Sequence, residues 1–300
     1  HSPTNLPGAH MKQLVLAATI TGAILVPLRF ALASGPPIDL VVAANAAQLE
    51  RFASEELAAQ LRQLFDAEVR TSDKPPTGSA MLVLIGSPDT NPAVKQALGD
   101  RWPKLSDQGI VIRSIPRDGG ETLVVGGGSP VATLWAVYEL GHRFGVRYLL
   151  SGDVFPAEPP PLKLDGFDVV MEPTLRTRTW RTVNDFAIGP EAWGIEEHRQ
   201  VQRQLAKLKF NRVMLSLYPW QPFVHFEFHG VKKSTGVLWY GWRYPVTGDT
   251  AGRAAFRDAK EFYNPDLAAK ETYEARTAAG IALCRGIIDS AHELGMSTAV

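Results

Sequence analysis

The stretch that most constrains the fold runs from Thr179 to Trp220 and has the pattern of a strand, a helix and a second strand. Leu175–Val183 and Arg212–Tyr218 are segments of strand length, and each is predicted to be a strand. Between them, Glu196–Phe210 repeats apolar residues on one helical face. Two strands joined through one helix form a parallel βαβ unit, and its crossover is right-handed in nearly all proteins. The sequence therefore predicts an α/β fold.

Polar and aromatic side chains follow both predicted strands. Arg181, Asn184 and Asp185 lie at the end of the first strand, and Tyr218 and Trp220 lie at the end of the second. The carboxyl ends of parallel strands are where α/β proteins hold their ligands, because the loops there vary while the sheet stays rigid. We predict that these five residues bind a substrate.

More strands and helices follow the βαβ unit. A long insertion, Pro219–Lys270, leads to a predicted helix over Glu271–Leu294 and a third strand over Met296–Val300. Alternating strands and helices are typical of a (β/α)₈ barrel, which needs about 250 residues. Residues 171–300 are therefore predicted to be the incomplete first part of such a barrel. A doubly wound sheet is the alternative, and it too needs more chain.

The long insertion is rich in aromatic residues. Flat rings pack against the C–H faces of sugars, and binding pockets favour such rings beside a few polar groups. We predict that Trp239, Tyr240 and Trp242 face a substrate. A hydrophobic core beneath a long loop is the alternative explanation of the same residues.

Three polar residues in the insertion raise the question of a metal. His225, Glu227 and His229 alternate with phenylalanines, so a strand would place all three on one face. Two imidazoles and a carboxylate can bind zinc. Their spacing matches no common metal motif, and a solvated strand face explains them equally well. We predict no metal and no cofactor.

Residues 34–170 are predicted to form a smaller mixed-sheet α/β domain. Asn45 is expected to cap the helix that follows its first strand, and Lys163–Val170 is expected to return to the sheet as an edge strand. The other predicted strands are apolar runs bounded by turn residues. They are Ile38–Ala44, Met81–Gly86, Gly109–Ser114, Glu121–Val125 and Val146–Leu150.

A glycine loop, Gly126–Gly128, lies between a strand and a helix in this domain. One interpretation is a phosphate cradle, because backbone amides at a helix start bind anions. The other is a tight turn in which Ser129 is the N-cap and Pro130 is the first helical residue. The loop lacks the dinucleotide-binding spacing and the P-loop lysine, which favours the turn.

Composition and the N-terminal residues bear on partners and location. Lys and Arg number 31, as do Asp and Glu, so no basic field exists to attract nucleic acid. An apolar run over Leu14–Leu28 followed by Ala31–Ala33 is typical of a signal peptide. A membrane span is less consistent, because the run is shorter than roughly 20 residues and contains Pro27. Residues 1–33 are therefore predicted to be upstream residues and a signal peptide, with no membrane partner after cleavage.

The chain has a single cysteine, Cys284, which cannot form an internal disulfide. Export without disulfides fits a bacterial periplasm or medium best. We therefore expect a periplasmic or secreted location.

The run Val124–Leu150 resembles the end of the small α/β domain that precedes the barrel in family 67 α-glucuronidases, a domain similar in fold to one in family 20 β-hexosaminidases. The resemblance depends on the glycine turn, the aromatic-rich helix with Tyr138, and the sequence Gly145-Val146-Arg147. It covers roughly residues 38–170. In those families the domain is accessory to catalysis.

The resemblance implies an exported enzyme that hydrolyses O-glycosidic bonds in carbohydrates. Such enzymes use two carboxylates, which in these families lie at later barrel strands, so the catalytic pair is expected beyond Val300. Asp185 is then expected to hold a sugar hydroxyl or an adjacent loop, and Arg181 would suit the carboxylate of a uronic acid. N-acetylhexosamine is a second substrate class. The alternative function is a non-catalytic periplasmic carbohydrate-binding protein.

Overall fold

The computed structural model describes residues 35–181, 189–217, 223–233, 243–249 and 259–300. The predicted signal peptide therefore lies outside the described residues. No helix within the described ranges is both long and apolar enough to cross a bilayer.

The first part of the described chain contains three helices and eight strands. They are β1 (Pro37–Val42), α1 (Gln48–Phe65), β2 (Glu68–Ser72), β3 (Met81–Ile85), α2 (Pro92–Leu98), β4 (Ile110–Arg117), β5 (Gly120–Gly127), α3 (Pro130–Arg143), β6 (Arg147–Leu149), β7 (Gly152–Val154) and β8 (Asp168–Met171).

Six of these strands form a mixed sheet in the order β2-β1-β3-β5-β4-β8. The neighbours from β2 to β5 are parallel, whereas β4 runs antiparallel to both β5 and β8. Helices α1 and α3 share the main core, and α2 covers a smaller core that includes Leu84 and Val94. The prediction that residues near Val170 return to this sheet as an edge strand is confirmed. Strands β6 and β7 pair only with each other within the described chain, so the strand predicted at Val146–Leu150 stays outside the sheet.

Two predicted helix starts have different outcomes. The N-cap of α1 is Ala47 and not Asn45, because the Glu50 carboxylate accepts the Ala47 backbone N–H at 3.2 Å. The N-cap of α3 is Ser129, as predicted, and its Oγ accepts the Ala132 N–H at 3.2 Å.

In the glycine loop, a Cβ at Gly128 would overlap the Ser106 carbonyl oxygen. The chain itself thus occupies the space beside this glycine, which supports the tight turn over the phosphate cradle.

The second part of the described chain contains two long helices and short strands. They are β9 (Thr179–Arg181), α4 (Ile195–Lys207), β10 (Arg212–Met214), β11 (Glu227–Phe228), β12 (Val231–Lys232), β13 (Tyr244–Pro245), β14 (Glu261–Phe262), α5 (Tyr273–Glu293) and β15 (Ser297–Ala299).

Among the described residues, β9, β10 and β15 form a parallel sheet in which β10 is central. Helix α4 connects the first pair and α5 precedes the third strand, so the order is βαβαβ. The predicted α/β fold class is confirmed, and this order is the one with which a (β/α)₈ barrel begins.

A shared core joins the two sheets. Leu205 and Ala206 of α4 and Ala291 of α5 are fully buried in the same hydrophobic cluster as Trp135 and Tyr138 of α3. The described residues from 35 onward belong to one compact unit. The last turn of α4 therefore packs on the first domain.

Ion pairs surround this shared core. Lys207 Nζ of α4 lies 2.5 Å from Asp153 Oδ2 of β7 and 3.8 Å from Glu56 Oε2 of α1. The Tyr138 hydroxyl donates to the same Glu56 oxygen at 3.1 Å. The Lys207 and Asp153 side chains are only 13% and 20% exposed, so solvent screens their attraction weakly.

Replacing Lys207 with Met should lower the free energy of unfolding by about 2 kcal/mol, because the partly buried Asp153 carboxylate loses its counter-ion. Urea unfolding followed by circular dichroism measures the change. The matched control is Arg199→Ala in the same helix, which breaks a more exposed ion pair with Glu196 and should cost less than about 0.5 kcal/mol. Equal losses for the two variants would show that the Lys207 pair does not stabilise the domain junction.

His198 is a buried histidine on the first turn of α4. Its ring packs edge-on against Trp193, with centroids 5.4 Å apart, and hydrogen-bonds to the Pro190 backbone. Burial lowers the pKa of His198 from 6.5 to about 4, because the charged imidazolium cannot be solvated there. The folded protein therefore holds a neutral ring at pH 7.

This depressed pKa predicts a loss of stability in mild acid. The unfolded chain takes up the proton near pH 6.5 and the folded chain only near pH 4, so the contribution is complete above pH 6.5 and is lost as the pH falls to about 4. The total loss is about 3 kcal/mol. In His198→Phe this part of the pH dependence should disappear, so the difference in unfolding free energy between the two proteins should change between pH 7 and pH 4. A constant difference would contradict the prediction.

Candidate functional site

The three parallel strands end at one edge of their sheet. Arg181 is the last residue of β9, and it is in register with Met214 of β10, which in turn aligns with Ala299 of β15. Because the strands are parallel, the segments that follow them begin from this same edge. This carboxyl edge is the place where a ligand site is expected.

Arg181 is the member of the predicted site that the structure describes. Its side chain is exposed, and its Nε donates to Ser216 Oγ at 3.3 Å across the carboxyl edge. A guanidinium is a planar fork that can bind a carboxylate with two parallel hydrogen bonds. The other predicted substrate-binding residues lie outside the described residues and stay predictions. They are Asn184, Asp185, Tyr218, Trp220, Trp239, Tyr240 and Trp242.

A second feature, which no sequence pattern indicated, is a cleft of about 430 Å³ that we call the loop cleft. Its walls come from the segment between β9 and α4 and from the segment between β10 and α5, which both follow carboxyl ends of the parallel strands. It is lined by Ala192, Trp193, Glu197, Glu261, Phe262, Tyr263 and Pro265.

A buried asparagine holds the two walls of the loop cleft together. Asn264 is fully buried, and its Nδ2 donates to the Trp193 carbonyl at 2.8 Å. Its Oδ1 accepts the Asp266 N–H at 3.0 Å. The Asp266 carboxylate accepts the Ile195 N–H at 2.8 Å and so caps the start of α4. The walls are thus fixed by hydrogen bonds from both segments.

Close packing also fixes this junction. A Cβ on Gly194 would lie 2.6 Å from Pro265 Cγ, so only glycine allows the two segments to approach this closely. The sequence carries a weak signal of the arrangement, the turn residues Asn264-Pro265-Asp266. Their partners lie about 70 positions earlier in the chain, so spacing alone could not reveal the contact.

Charged groups line one side of the loop cleft. Arg243 forms an ion pair with Glu261 and places its guanidinium 4.0 Å from the centre of the Tyr263 ring. Glu197 uses Oε2 to accept the Gly194 N–H at 3.1 Å. The described lining of the cleft therefore combines partly exposed aromatic rings with two carboxylates, and Arg243 pairs with one of these carboxylates.

The residues considered as zinc ligands do not gather at one point. His225 Nδ1 is 3.1 Å from the Tyr273 hydroxyl, whereas His229 has a positive φ in the β11–β12 turn and packs its ring on Phe228. Within the described ranges, no three His, Cys, Asp or Glu side chains are grouped closely enough to hold a metal. Burial raises the pKa of the Cys284 thiol, which disfavours the nucleophilic thiolate.

Family comparison identifies the first domain. Residues 35–140 match the family described as Glycosyl hydrolase family 67 N-terminus. This range contains β1 to β5 and most of α3, and it ends before Gly145-Val146-Arg147. No curated protein matches the chain.

Three solved structures are similar to this chain. The first is a family GH115 4-O-methyl-α-glucuronidase with specificity for decorated arabinogalactans, at 17% identity and a TM-score of 0.51, covering 63% of this chain and 26% of that chain. The second is a GH138 enzyme targeting pectin rhamnogalacturonan II, at 12% identity and a TM-score of 0.47, covering 87% and 30%. The third is the GH20 β-N-acetylhexosaminidase from Streptomyces coelicolor A3(2), at 14% identity and a TM-score of 0.45, covering 87% and 41%.

The chain spans less than half the length of each of these three proteins. At 17% identity, the likeness to the GH115 structure concerns the fold. The family match concerns the sequence of the first domain. The predicted resemblance to family 67 glycosyl hydrolases is therefore confirmed over residues 35–140, which match the N-terminal domain of that family.

Proposed function

We propose that this chain is the N-terminal part of an exported glycoside hydrolase, with an accessory α/β domain followed by the first strands of a catalytic (β/α)₈ barrel. One observation carries the proposal: a family 67 N-terminal domain is followed directly by the βαβαβ unit of β9, β10 and β15. The shared core supports it, because a catalytic barrel that packs on its accessory domain needs a fixed junction.

The chemistry of glycoside hydrolysis fits this assignment of parts. Two carboxylates flank the scissile bond, one as acid and the other as base or nucleophile. We assign both to strands that follow Val300, and we assign substrate binding to the carboxyl edge described above. Arg181 is exposed at this edge, and its guanidinium suits the carboxylate of a uronic acid. A uronic acid side group of a polysaccharide is therefore the substrate class that this residue favours.

Export is part of the proposal and is supported by the sequence of residues 1–33 alone. The apolar run and the small residues before Ser34 are those of a secretory signal peptide. We propose a periplasmic or secreted location, where polysaccharide fragments are accessible.

Replacing Arg181 in the intact protein tests the proposed role. Arg181→Ala should lower kcat/KM for release of a uronic acid from a decorated oligosaccharide about 10- to 100-fold, because a charged hydrogen bond to the substrate is lost. Arg181→Lys should recover part of the loss, since the charge returns without the bidentate geometry. Anion-exchange chromatography of the released sugar measures the rates.

The chain offers a matched control at the opposite edge of the same sheet. Arg212 begins β10, and its Nε donates to Ser297 Oγ at 3.1 Å, so it repeats the Arg181–Ser216 contact at the amino edge. Arg212→Ala should leave the rate unchanged. Equal losses for Arg181→Ala and Arg212→Ala would contradict a substrate-binding role for Arg181. Sugar binding without any hydrolysis by the intact protein would instead favour the carbohydrate-binding alternative.

A further inference from the structure

The loop cleft has the size and the aromatic lining of a small-molecule site. Its volume of about 430 Å³ lies within the roughly 300–1,000 Å³ typical of ligand pockets. Trp193 and Tyr263 are half-buried, so part of each ring stays accessible from the cleft. Accessible rings beside carboxylates match the C–H faces and hydroxyl groups of a sugar.

The charges of the cleft select among sugars. Arg243 is already engaged by Glu261 and by the Tyr263 ring. Glu197 has no cation within the described residues, and its second oxygen is available to accept a hydrogen bond. Among the described residues, the lining thus has an excess of negative charge, which repels a carboxylate ligand and accepts hydroxyl donors.

We propose that the loop cleft is a subsite for a neutral pyranose unit, distinct from the carboxyl edge where Arg181 would take an acidic one. This inference rests on the proposed function, since it treats the cleft as a further part of the same carbohydrate-binding face. Both features are built from β9 and from segments that follow β9 and β10.

The walls of the cleft are preorganised for binding. Asn264 links them through its hydrogen bond to the Trp193 carbonyl, and Pro265 packs directly on Gly194. Walls that are fixed before the ligand arrives avoid the entropy cost of ordering loops on binding.

Isothermal titration calorimetry of the intact protein with xylotetraose, a neutral probe, and trigalacturonate, an acidic probe, tests the proposal. Tyr263→Ala and Trp193→Ala should each weaken xylotetraose binding about tenfold. Trp193→Phe should retain most of the affinity because a ring remains. Glu197→Gln should raise the relative affinity for trigalacturonate, since one negative charge is removed. Unchanged xylotetraose affinity in both alanine variants would overturn the subsite.

Further measurements distinguish a misfolded variant from the loss of a subsite, and failure of the subsite proposal from failure of the hydrolase proposal. Because Trp193 also packs on His198, circular dichroism must show native spectra for each variant, and Tyr263→Ala serves as the second variant if Trp193→Ala unfolds. Hydrolysis that depends on Arg181 but not on the cleft residues would refute the subsite and leave the hydrolase proposal intact. Xylotetraose binding lost in the cleft variants of a protein that hydrolyses nothing would support the subsite and refute the hydrolase proposal.

Discussion

The packing of α4 and α5 onto the helices of the first domain is the constraint on which the rest of the structure depends. Leu205, Ala206 and Ala291 lose all contact with water in the same cluster as Trp135 and Tyr138. Burying apolar surface is the main favourable term in folding, and each such side chain contributes about 1 to 3 kcal/mol. This shared core fixes β10 between its neighbours and therefore determines where the carboxyl edge of the parallel strands lies.

Polar contacts at the same junction fix the orientation of the packed elements more than they add to the free energy of folding. The Lys207–Asp153 ion pair and the Tyr138–Glu56 hydrogen bond connect α4 with β7, α3 and α1. Directional contacts of this kind exclude small rotations that a purely apolar interface would permit. The segments beyond the strand ends use the same principle on a smaller scale, because Asn264 and Asp266 join two loops whose described residues share no strand pairing. The packed junction and the hydrogen-bonded loops together give the loop cleft a defined geometry.

Much of the first domain could be predicted from residue patterns, and the elements that these patterns did not indicate correctly have clear physical causes. The edge strand near Val170 and the cap at Ser129 were predicted correctly, because apolar runs and Ser-Pro helix starts are local signals. Strand β2 was not predicted, since Glu68–Ser72 has the polar composition of an edge strand. The sequence predicts Asn45 as the N-cap of α1, whereas the N-cap is Ala47, whose backbone N–H donates to the Glu50 carboxylate. Competing local hydrogen bonds of similar strength are not resolved by sequence alone.

The sequence by itself determined the α/β class, the alternation of strands and helices along the chain and the place of Arg181 at a strand end, because these follow from residue patterns over a few neighbouring positions. Only the tertiary structure decided that Arg181 meets Ser216, that Asn264 binds the Trp193 carbonyl, and that Trp193 and Tyr263 line one cleft. Residues 35 to 71 positions apart make these contacts, and their approach depends on the packing of whole helices and strands. No short-range pattern encodes such distances.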